Sequence, residues 1–324
     1  MDFKLVDRIL PDFDPETYVV DEGLRRAAEV AYALRQPLLL MGEPGTGKTR
    51  FAQKLAYELA KLTANQPIPF GAKPLVFNTK TSSAARDLFY IYDALAHYQS
   101  ANIKRNPGDP AAGAEAFIAL EALGKAIALT NPGALAHQKL QEKLSETGVL
   151  PAARSSVVLI DEIDKAPRDF PNDILNEIED QVFYVRELDN LPVKKDPDVP
   201  IMVVMTSNSE KNLPDAFLRR CVFYHIPFPD EHQLLTIAKT SLGKAADTFA
   251  GKNLEHLIGL FEQLRKKVTR KAPGTAEMLA WLRVIGLQDI KNLETPDAKK
   301  KLMENLSILV KTKEDYEAVT ELFK

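Results

Sequence analysis

The residues best suited to chemistry lie in one short stretch, where three glycines precede a lysine and a hydroxyl side chain. The stretch reads Gly42-Glu43-Pro44-Gly45-Thr46-Gly47-Lys48-Thr49 and fits the pattern G-x-x-x-x-G-K-[ST]. Glycines allow the tight backbone path and close approach with which backbone N–H groups wrap a polyphosphate. Lys48 can then reach the β and γ phosphates, and the Thr49 hydroxyl can bind Mg²⁺. We therefore predict a phosphate loop at this position.

The segments on either side of the phosphate loop have the order that such a site requires. An apolar run at residues 37–41 indicates a buried strand, and a helical pattern covers residues 50–62. The N-terminus of that helix would add partial positive charge near the anion. A chance glycine-rich turn is the alternative interpretation, and the strand before and helix after it argue against that alternative.

Two carboxylates follow a second apolar strand. Residues 157–160 are Val-Val-Leu-Ile, and Asp161 and Glu162 come directly after them. Ligands of open α/β sheets bind at the carboxyl ends of the strands, so both side chains are expected at that edge. We predict that Asp161 holds Mg²⁺, directly or through water, and that Glu162 polarises an attacking water.

Polar and charged side chains also follow the later strand patterns. Asn208 comes after the apolar run 200–205, where its amide can orient a water in line with the γ-phosphate, or can simply cap a turn. Arg219 and Arg220 precede a strand pattern at residues 222–226. Surface solvation explains such a pair, and an arginine finger that reaches a neighbouring subunit's γ-phosphate is the alternative.

Composition excludes several classes of protein. The chain has 324 residues and a formal net charge of −3, without a lysine or arginine block, which argues against nucleic-acid wrapping. One cysteine excludes an internal disulfide, and five scattered histidines argue against a structural metal. Without a signal peptide or a long apolar span, we expect a cytoplasmic protein with no membrane span.

The patterns divide the chain into three parts. Residues 1–18 form an irregular lead-in, residues 19–229 an α/β nucleotide-binding domain, and residues 230–324 an α-helical domain. Within the second part, residues 82–156 are alanine-rich, and breaks rich in proline and glycine divide them into three helices. We interpret this stretch as a helical insertion, which is either a surface decoration or a contact for a partner.

The motifs together resemble those of a known family. GEPGTGKT, VVLIDEID, TSN and LPDAFLRRC, followed by a helical domain, resemble the AAA+ ATPases and, within them, the MoxR family. The resemblance extends from about residue 21 to the C-terminus. It implies a P-loop α/β fold with a parallel sheet of order 2-3-4-1-5, a C-terminal α-helical lid and a ring, usually a hexamer, with ATP sites between subunits.

The roles of that family fall on particular residues of this chain. They are Lys48 and Thr49 in Walker A, Asp161 and Glu162 in Walker B, Asn208 as sensor 1, and Arg220 as the finger with Arg219 beside it. The sensor 2 arginine is missing, because Gly274 follows Pro273 where that arginine would stand. Either Arg270 or Lys271 substitutes for it, or the lid senses the γ-phosphate weakly.

The resemblance implies Mg²⁺-dependent ATP hydrolysis that remodels or activates a protein partner, such as a von Willebrand factor A domain protein. Two alternatives stay open from the sequence. One is a nucleotide-dependent assembly scaffold with little turnover, which the missing sensor 2 arginine favours. The other is a DNA-associated NTPase of a defence system, which uses GTP in some cases. The residues alone do not distinguish ATP from GTP.

Overall fold

The computed structural model describes residues 12–102, 113–145, 150–249, 253–288, 290 and 292–323. The chain forms two compact units. One, here called the sheet unit, comprises Glu22–Met41 and Ala52–His225. The other, here called the helical unit, comprises Met1–Asp21, Gly42–Phe51 and Ile226–Lys324, and so contains the phosphate loop.

The sheet unit contains the strands of the described residues. They are β1 (Leu38–Met41), β2 (Leu75–Asn78), β3 (Tyr90–Tyr92), β4 (Ile118–Leu120), β5 (Ser156–Asp161), β6 (Val182–Val185), β7 (Leu191–Lys194), β8 (Ile201–Ser207) and β9 (Val222–His225). Five of them form a parallel sheet in the order β2-β5-β8-β1-β9. Counted along the chain within that sheet, the order is 2-3-4-1-5, which confirms the predicted fold class.

The α-helices of the described residues follow in chain order. They are α1 (Glu22–Leu34), α2 (Lys48–Thr63), α3 (Ala94–Asn102), α4 (Ala122–Thr130), α5 (Gln138–Glu142), α6 (Phe170–Asp180), α7 (Asp215–Leu218), α8 (Glu231–Leu242), α9 (Asn253–Lys267), α10 (Thr275–Gly286), α11 (Pro296–Glu304) and α12 (Lys313–Thr320).

The central strands β5 and β8 are apolar and almost wholly buried, because helices cover a parallel sheet on both faces.

The insertion predicted at residues 82–156 is more than a group of helices. Its described part contains α3, α4 and α5, as expected, but also a short antiparallel ladder in which Tyr90 is opposite Leu120. Helix α4 is buried along its whole length and packs against β2 and β5, so it belongs to the core. Residues 103–112 and 146–149, where two of the predicted breaks fall, lie outside the described residues.

The helical unit has its own core, built by the five helices from α8 to α12. Trp281 and Phe261 are completely buried at its centre, among leucines of α9 and α10. Helix α8 begins with a capping box, in which the Asp230 side chain accepts from the backbone N–H of Gln233 at 2.8 Å. Between residues 230 and 323, the described residues form helices and the turns that connect them and no strand, in agreement with the predicted periodicity.

Gly124 is the residue of α4 that should tolerate substitution least. A Cβ atom at this position would lie 2.0 Å from the carbonyl oxygen of Phe89. Gly133 provides a matched control, because a Cβ there would meet no atom within 4 Å. We expect Gly124→Ala to lower the free energy of unfolding by about 2 kcal/mol through overpacking. Gly133→Ala should change it by less than about 0.5 kcal/mol, and equal urea midpoints for the two variants would contradict the packing described.

Candidate functional site

The phosphate loop has the backbone of an anion cradle. Gly45 and Gly47 have φ angles of +81° and +89°, a conformation in which any other residue is strained. The buried Lys48 ammonium group donates hydrogen bonds to the carbonyl oxygens of Gly42 and Glu43, both at 2.9 Å. The Thr46 hydroxyl donates to the Glu43 carbonyl oxygen at 2.9 Å. The loop is therefore closed upon itself around its lysine, and Thr49 follows in the first turn of α2.

Neighbouring segments of the helical unit approach this loop closely. A Cβ on Gly45 would lie 2.8 Å from the Cα of Gly274, and one on Gly47 would lie 3.1 Å from the Tyr18 ring. The Pro44 carbonyl oxygen would lie 3.1 Å from a Cβ on Gly274. The glycines thus allow neighbouring segments to pack on the loop, and the loop's positive-φ backbone and buried lysine fit a bound polyphosphate.

The described part of the lead-in belongs to the surroundings of the loop. It contains a short 3₁₀ helix, Pro15–Thr17, which Asp14 caps through a 2.9 Å hydrogen bond from the Glu16 N–H. The Tyr18 ring lies 6.1 Å from the Phe51 ring, and the Arg50 guanidinium lies 4.4 Å from the centre of the Phe13 ring. These contacts fix the lead-in against the first turn of α2. The sequence predicted only an irregular segment at residues 1–18 and did not predict these contacts.

The sheet unit carries the second cluster, at the carboxyl ends of β5 and β8. Asp161 is the last residue of β5, and Glu162 follows it with a φ angle of +56°. The Thr206 hydroxyl donates to Asp161 Oδ1 at 2.6 Å and accepts from the Glu162 N–H at 2.8 Å. One hydroxyl on β8 therefore fixes both carboxylate residues of β5.

The Glu162 carboxylate has a hydrogen-bond donor on each of its oxygens. Asn208 donates its side-chain N–H to Oε1 at 3.1 Å, and Lys165 forms an ion pair with Oε2. The hydrogen bond to Glu162 raises the pKa of Lys165 above its ordinary value. Asp161, Glu162 and Asn208, which the sequence proposes as partners in chemistry, thus lie together.

Three side chains of this cluster were missed by sequence reasoning: Thr206, Asp164 and Lys165. Asp164 is buried and accepts from the backbone N–H groups of Asn208 at 3.2 Å and Glu210 at 2.9 Å, which fixes the turn after β8. A signal for all three is present, since Thr206 and Asp164 are polar residues within the motifs TSN and VVLIDEID and Lys165 directly follows the second of them. The sequence-based prediction covered only those motif residues to which a chemical role was assigned.

The paired arginines lie at the surface of the sheet unit. Arg220 approaches Glu179 of α6 at 3.8 Å, with both side chains about half exposed. Arg219 is also exposed. The neighbouring Cys221 thiol is different, because burial raises its pKa to about 12 and its Sγ donates to the Phe217 carbonyl oxygen. Both guanidiniums are thus on an outer surface, whereas the thiol is inert at neutral pH.

Asp315 fixes the backbone at Arg270, which is one of the two candidates for the missing sensor 2 arginine. The backbone N–H of Arg270 donates to Asp315 Oδ2 at 3.3 Å, and Thr269 donates to Oδ1 at 2.8 Å. The side chains of Arg270 and Lys271 are exposed. Gly274 is buried. Another arginine of this unit, Arg265, forms an ion pair with Glu43 of the phosphate loop.

A magnesium site is compatible with the donors present. Mg²⁺ is usually bound by one or two protein oxygens together with substrate phosphates, and the Thr49 hydroxyl and the Asp161 carboxylate are each a ligand of that kind. Within the described residues, no group of three or more His, Cys, Asp or Glu side chains could hold a metal alone. The described part of the chain also contains no helix long and apolar enough to cross a membrane.

Comparison with known proteins gives one family match. The family described as AAA domain (dynein-related subfamily) matches residues 37–221. No curated protein sequence matches the chain. The chain is also similar to solved structures at low identity, among them the following two. C. elegans PCH-2 is 16% identical over 95% of this chain and 71% of its own, with a TM-score of 0.42. Domain III of the Thermotoga maritima replication initiation protein DnaA is 14% identical over 94% and 99%, with a TM-score of 0.46.

Thr206 provides a test of the carboxylate cluster. Thr206→Val keeps the shape of the side chain but removes the hydrogen bond that the hydroxyl accepts from the Glu162 N–H and the one that it donates to Asp161. We expect a loss of about 1–3 kcal/mol in the free energy of unfolding, measured by urea denaturation. Thr206→Ser keeps the hydroxyl and should lose less than half as much. A loss for Thr206→Ser as large as that for Thr206→Val would contradict this, because it would show that the hydroxyl stabilises the site no more than the methyl group does.

Proposed function

Since the chain belongs to the AAA domain family, in its dynein-related subfamily, we propose that it is a Mg²⁺-dependent ATPase that resembles the MoxR ATPases. The observation that carries this proposal is the Glu162 carboxylate, which accepts a hydrogen bond from Asn208 beside Asp161. A carboxylate that an amide orients at the end of a parallel strand suits the activation of a water molecule. A protein that only binds a nucleotide has no need of it.

The loop residues bind and orient the substrate in this proposal. Backbone N–H groups of residues 42–47 hold the phosphates, and Lys48 exchanges its loop carbonyl partners for phosphate oxygens. Thr49 and Asp161 would hold Mg²⁺, which supplies charge neutralisation on the phosphates when it is bound. The short hydrogen bond from Thr206 to Asp161 supports this role, because it fixes the orientation of the carboxylate.

The acid cluster supplies the chemistry of hydrolysis. Glu162 accepts a proton from water as the water oxygen bonds to the γ-phosphorus. The bond between that phosphorus and the β–γ bridging oxygen breaks, which yields ADP and inorganic phosphate. The hydrogen bond from Asn208 to Glu162 supports a shared task of orienting the water. Lys165 must give up part of its ion pair for Glu162 to act as a base.

The site is completed by a second subunit in this proposal. Arg220 is on the surface and reaches the γ-phosphate of a neighbouring subunit in a ring, for which a hexamer is the expected form. The weak ion pair with Glu179 supports this, because an exposed pair of this length stabilises the monomer little. Arg219 is beside it and strengthens the positive charge of the same surface.

The proposed work of the motor is remodelling or activation of a protein partner, such as a von Willebrand factor A domain protein. Large apolar side chains on the insertion support a protein client. Ile91, Leu95 and Tyr98 are between 49% and 70% exposed there. Leu95 and Tyr98 are three residues apart on α3 and so share one face of that helix, and an exposed apolar face is typical of protein contacts.

The second candidate function is a nucleotide-dependent assembly scaffold with little turnover. Two observations favour it: Gly274 stands in place of the family's arginine, and Lys165 neutralises the proposed base. Turnover measured with and without a client distinguishes the two functions. Tight ATP binding with negligible turnover under both conditions would support the scaffold.

Glu162→Gln tests the proposed base. The amide keeps the size of the side chain but cannot accept the proton, so phosphate release should fall by at least about 100-fold while ATP still binds. Glu142→Gln, at an exposed position of α5, is the matched control and should turn over ATP at the normal rate. Robust turnover by Glu162→Gln, measured by steady-state phosphate release, would remove Glu162 from this role.

Arg220→Ala tests the shared site. Loss of a finger should reduce turnover on the order of a thousandfold without changing ATP affinity. The specific activity of the wild type should rise as the protein assembles, which is measured as hydrolysis against protein concentration with the mass in solution at each point. Arg186→Ala, another exposed arginine of the sheet unit, serves as the control. Activity that is independent of assembly would make Arg220 a structural residue.

A mixing experiment distinguishes action in trans from action in cis. Arg220→Ala subunits keep the base Glu162, and Glu162→Gln subunits keep the arginine. Mixed in equal amounts, the two inactive variants should recover part of the wild-type rate, because an intact arginine then faces an intact base. Absence of recovery in mixed assemblies of confirmed mass would mean that Arg220 acts within its own subunit.

A further inference from the structure

The start of α10 packs directly on the backbone of the phosphate loop. A Cβ on Gly274 would lie 2.8 Å from the Gly45 Cα and 3.1 Å from the Pro44 carbonyl oxygen. The Thr275 N–H also donates to the Gly45 carbonyl oxygen at 3.3 Å. A side chain at position 274 therefore has no room, and a cation that serves the loop from this direction must come from another residue.

Arg265, in the last turn of α9, lies at the loop. Its Nη2 forms an ion pair with Glu43 Oε2, and its Nη1 donates to the Pro273 carbonyl oxygen at 2.8 Å. The guanidinium lies over the Phe228 ring, 3.6 Å from the ring centroid. The side chain is only 15% exposed. The ring and the carbonyl fix its position, and a stacked, hydrogen-bonded guanidinium of this kind is well suited to bind an anion.

The ion pair with Glu43 is the exchangeable part of this arrangement. The Glu43 side chain is 56% exposed, so water can solvate its carboxylate once the pair opens. Glu43 is the second residue of the loop, and its own backbone belongs to the proposed phosphate cradle. A triphosphate in the loop brings more negative charge than one carboxylate, and arginine binds phosphate through strong charge-assisted hydrogen bonds.

We propose that Arg265 is a phosphate ligand that distinguishes ATP from ADP, with Glu43 as its partner when the terminal phosphate is absent. This inference rests on the proposed nucleotide site and assigns to Arg265 the task for which the sequence offered Arg270 or Lys271. The hydrogen bonds of Asp315 hold the backbone of residues 269 and 270, and the side chains of Arg270 and Lys271 are exposed. Of these three cationic residues, Arg265 is the one whose described contacts include a side chain of the phosphate loop, that of Glu43.

The test is the ratio of ATP to ADP affinity, measured by calorimetric titration of each nucleotide with Mg²⁺. All variants carry Glu162→Gln as well, so that ATP is not consumed. Arg265→Ala should weaken ATP binding at least about tenfold and ADP binding by less than about threefold. Arg265→Lys keeps the positive charge and should recover part of the loss. Lys271→Ala is the matched cation control and should leave both affinities unchanged.

Glu43→Gln gives an independent test with the arginine intact. The variant removes the competing carboxylate, so ATP affinity should rise relative to that of ADP. An unchanged or lowered ratio would contradict the exchange between Glu43 and phosphate. Urea midpoints of all variants establish that each is folded, and Glu43→Gln still tests the proposal if Arg265→Ala is not.

The outcomes separate this inference from the function on which it rests. The reference protein in these titrations carries Glu162→Gln alone and is called the parent. If the parent binds both nucleotides and Arg265→Ala weakens the binding of both equally, Arg265 only shapes the loop and the inference is wrong. The inference is also wrong if Lys271→Ala, rather than Arg265→Ala, lowers the ratio. If the parent binds neither nucleotide, the proposed function itself is overturned together with the inference.

Discussion

The close approach of backbone to backbone at the phosphate loop constrains the rest of the helical unit. Gly45 and Gly274 come so near that neither position has room for a Cβ, and a Cβ on Gly42 would lie 2.6 Å from the carbonyl oxygen of Ile226. Since no side chain can enter there, the charged groups that serve the loop must reach it from other directions. Lys48 does so from the first turn of α2, and Arg265 does so from α9.

A second constraint, strand register, organises the acid cluster of the sheet unit. The parallel pairing of β5 with β8 sets Ile160 opposite Met205, so the polar residues that follow them in the two strands are neighbours. Thr206 is therefore positioned to bond both Asp161 and the Glu162 backbone, and Asn208 to bond the Glu162 side chain. A slip of one residue would turn each of these side chains to the other face of the sheet.

The sequence predicts those features whose chemistry depends on neighbouring residues. The phosphate loop, the strand that ends in Asp161 and the helical C-terminal part all leave a local pattern, whereas the sheet order came from family resemblance. Strands β3 and β4 were missed because each has three residues and pairs with a distant segment. Arg265 left no signal, since it is 222 residues from Glu43 and looks like an ordinary cation in the last turn of a helix.

The ion pairs at the acid cluster and at the phosphate loop share one physical property, the partial exposure of their carboxylates to water. This property determines how readily the paired side chains can exchange partners. Glu162 with Lys165 and Glu43 with Arg265 each include a carboxylate that is more than a third exposed, so water screens both ion pairs. Each pair is thus weak enough for a phosphate or a reacting water to displace it. The buried Lys48, with two carbonyl acceptors, is more firmly held. Exchange of partners at the exposed pairs therefore costs little, and nucleotide binding can supply the free energy that it requires.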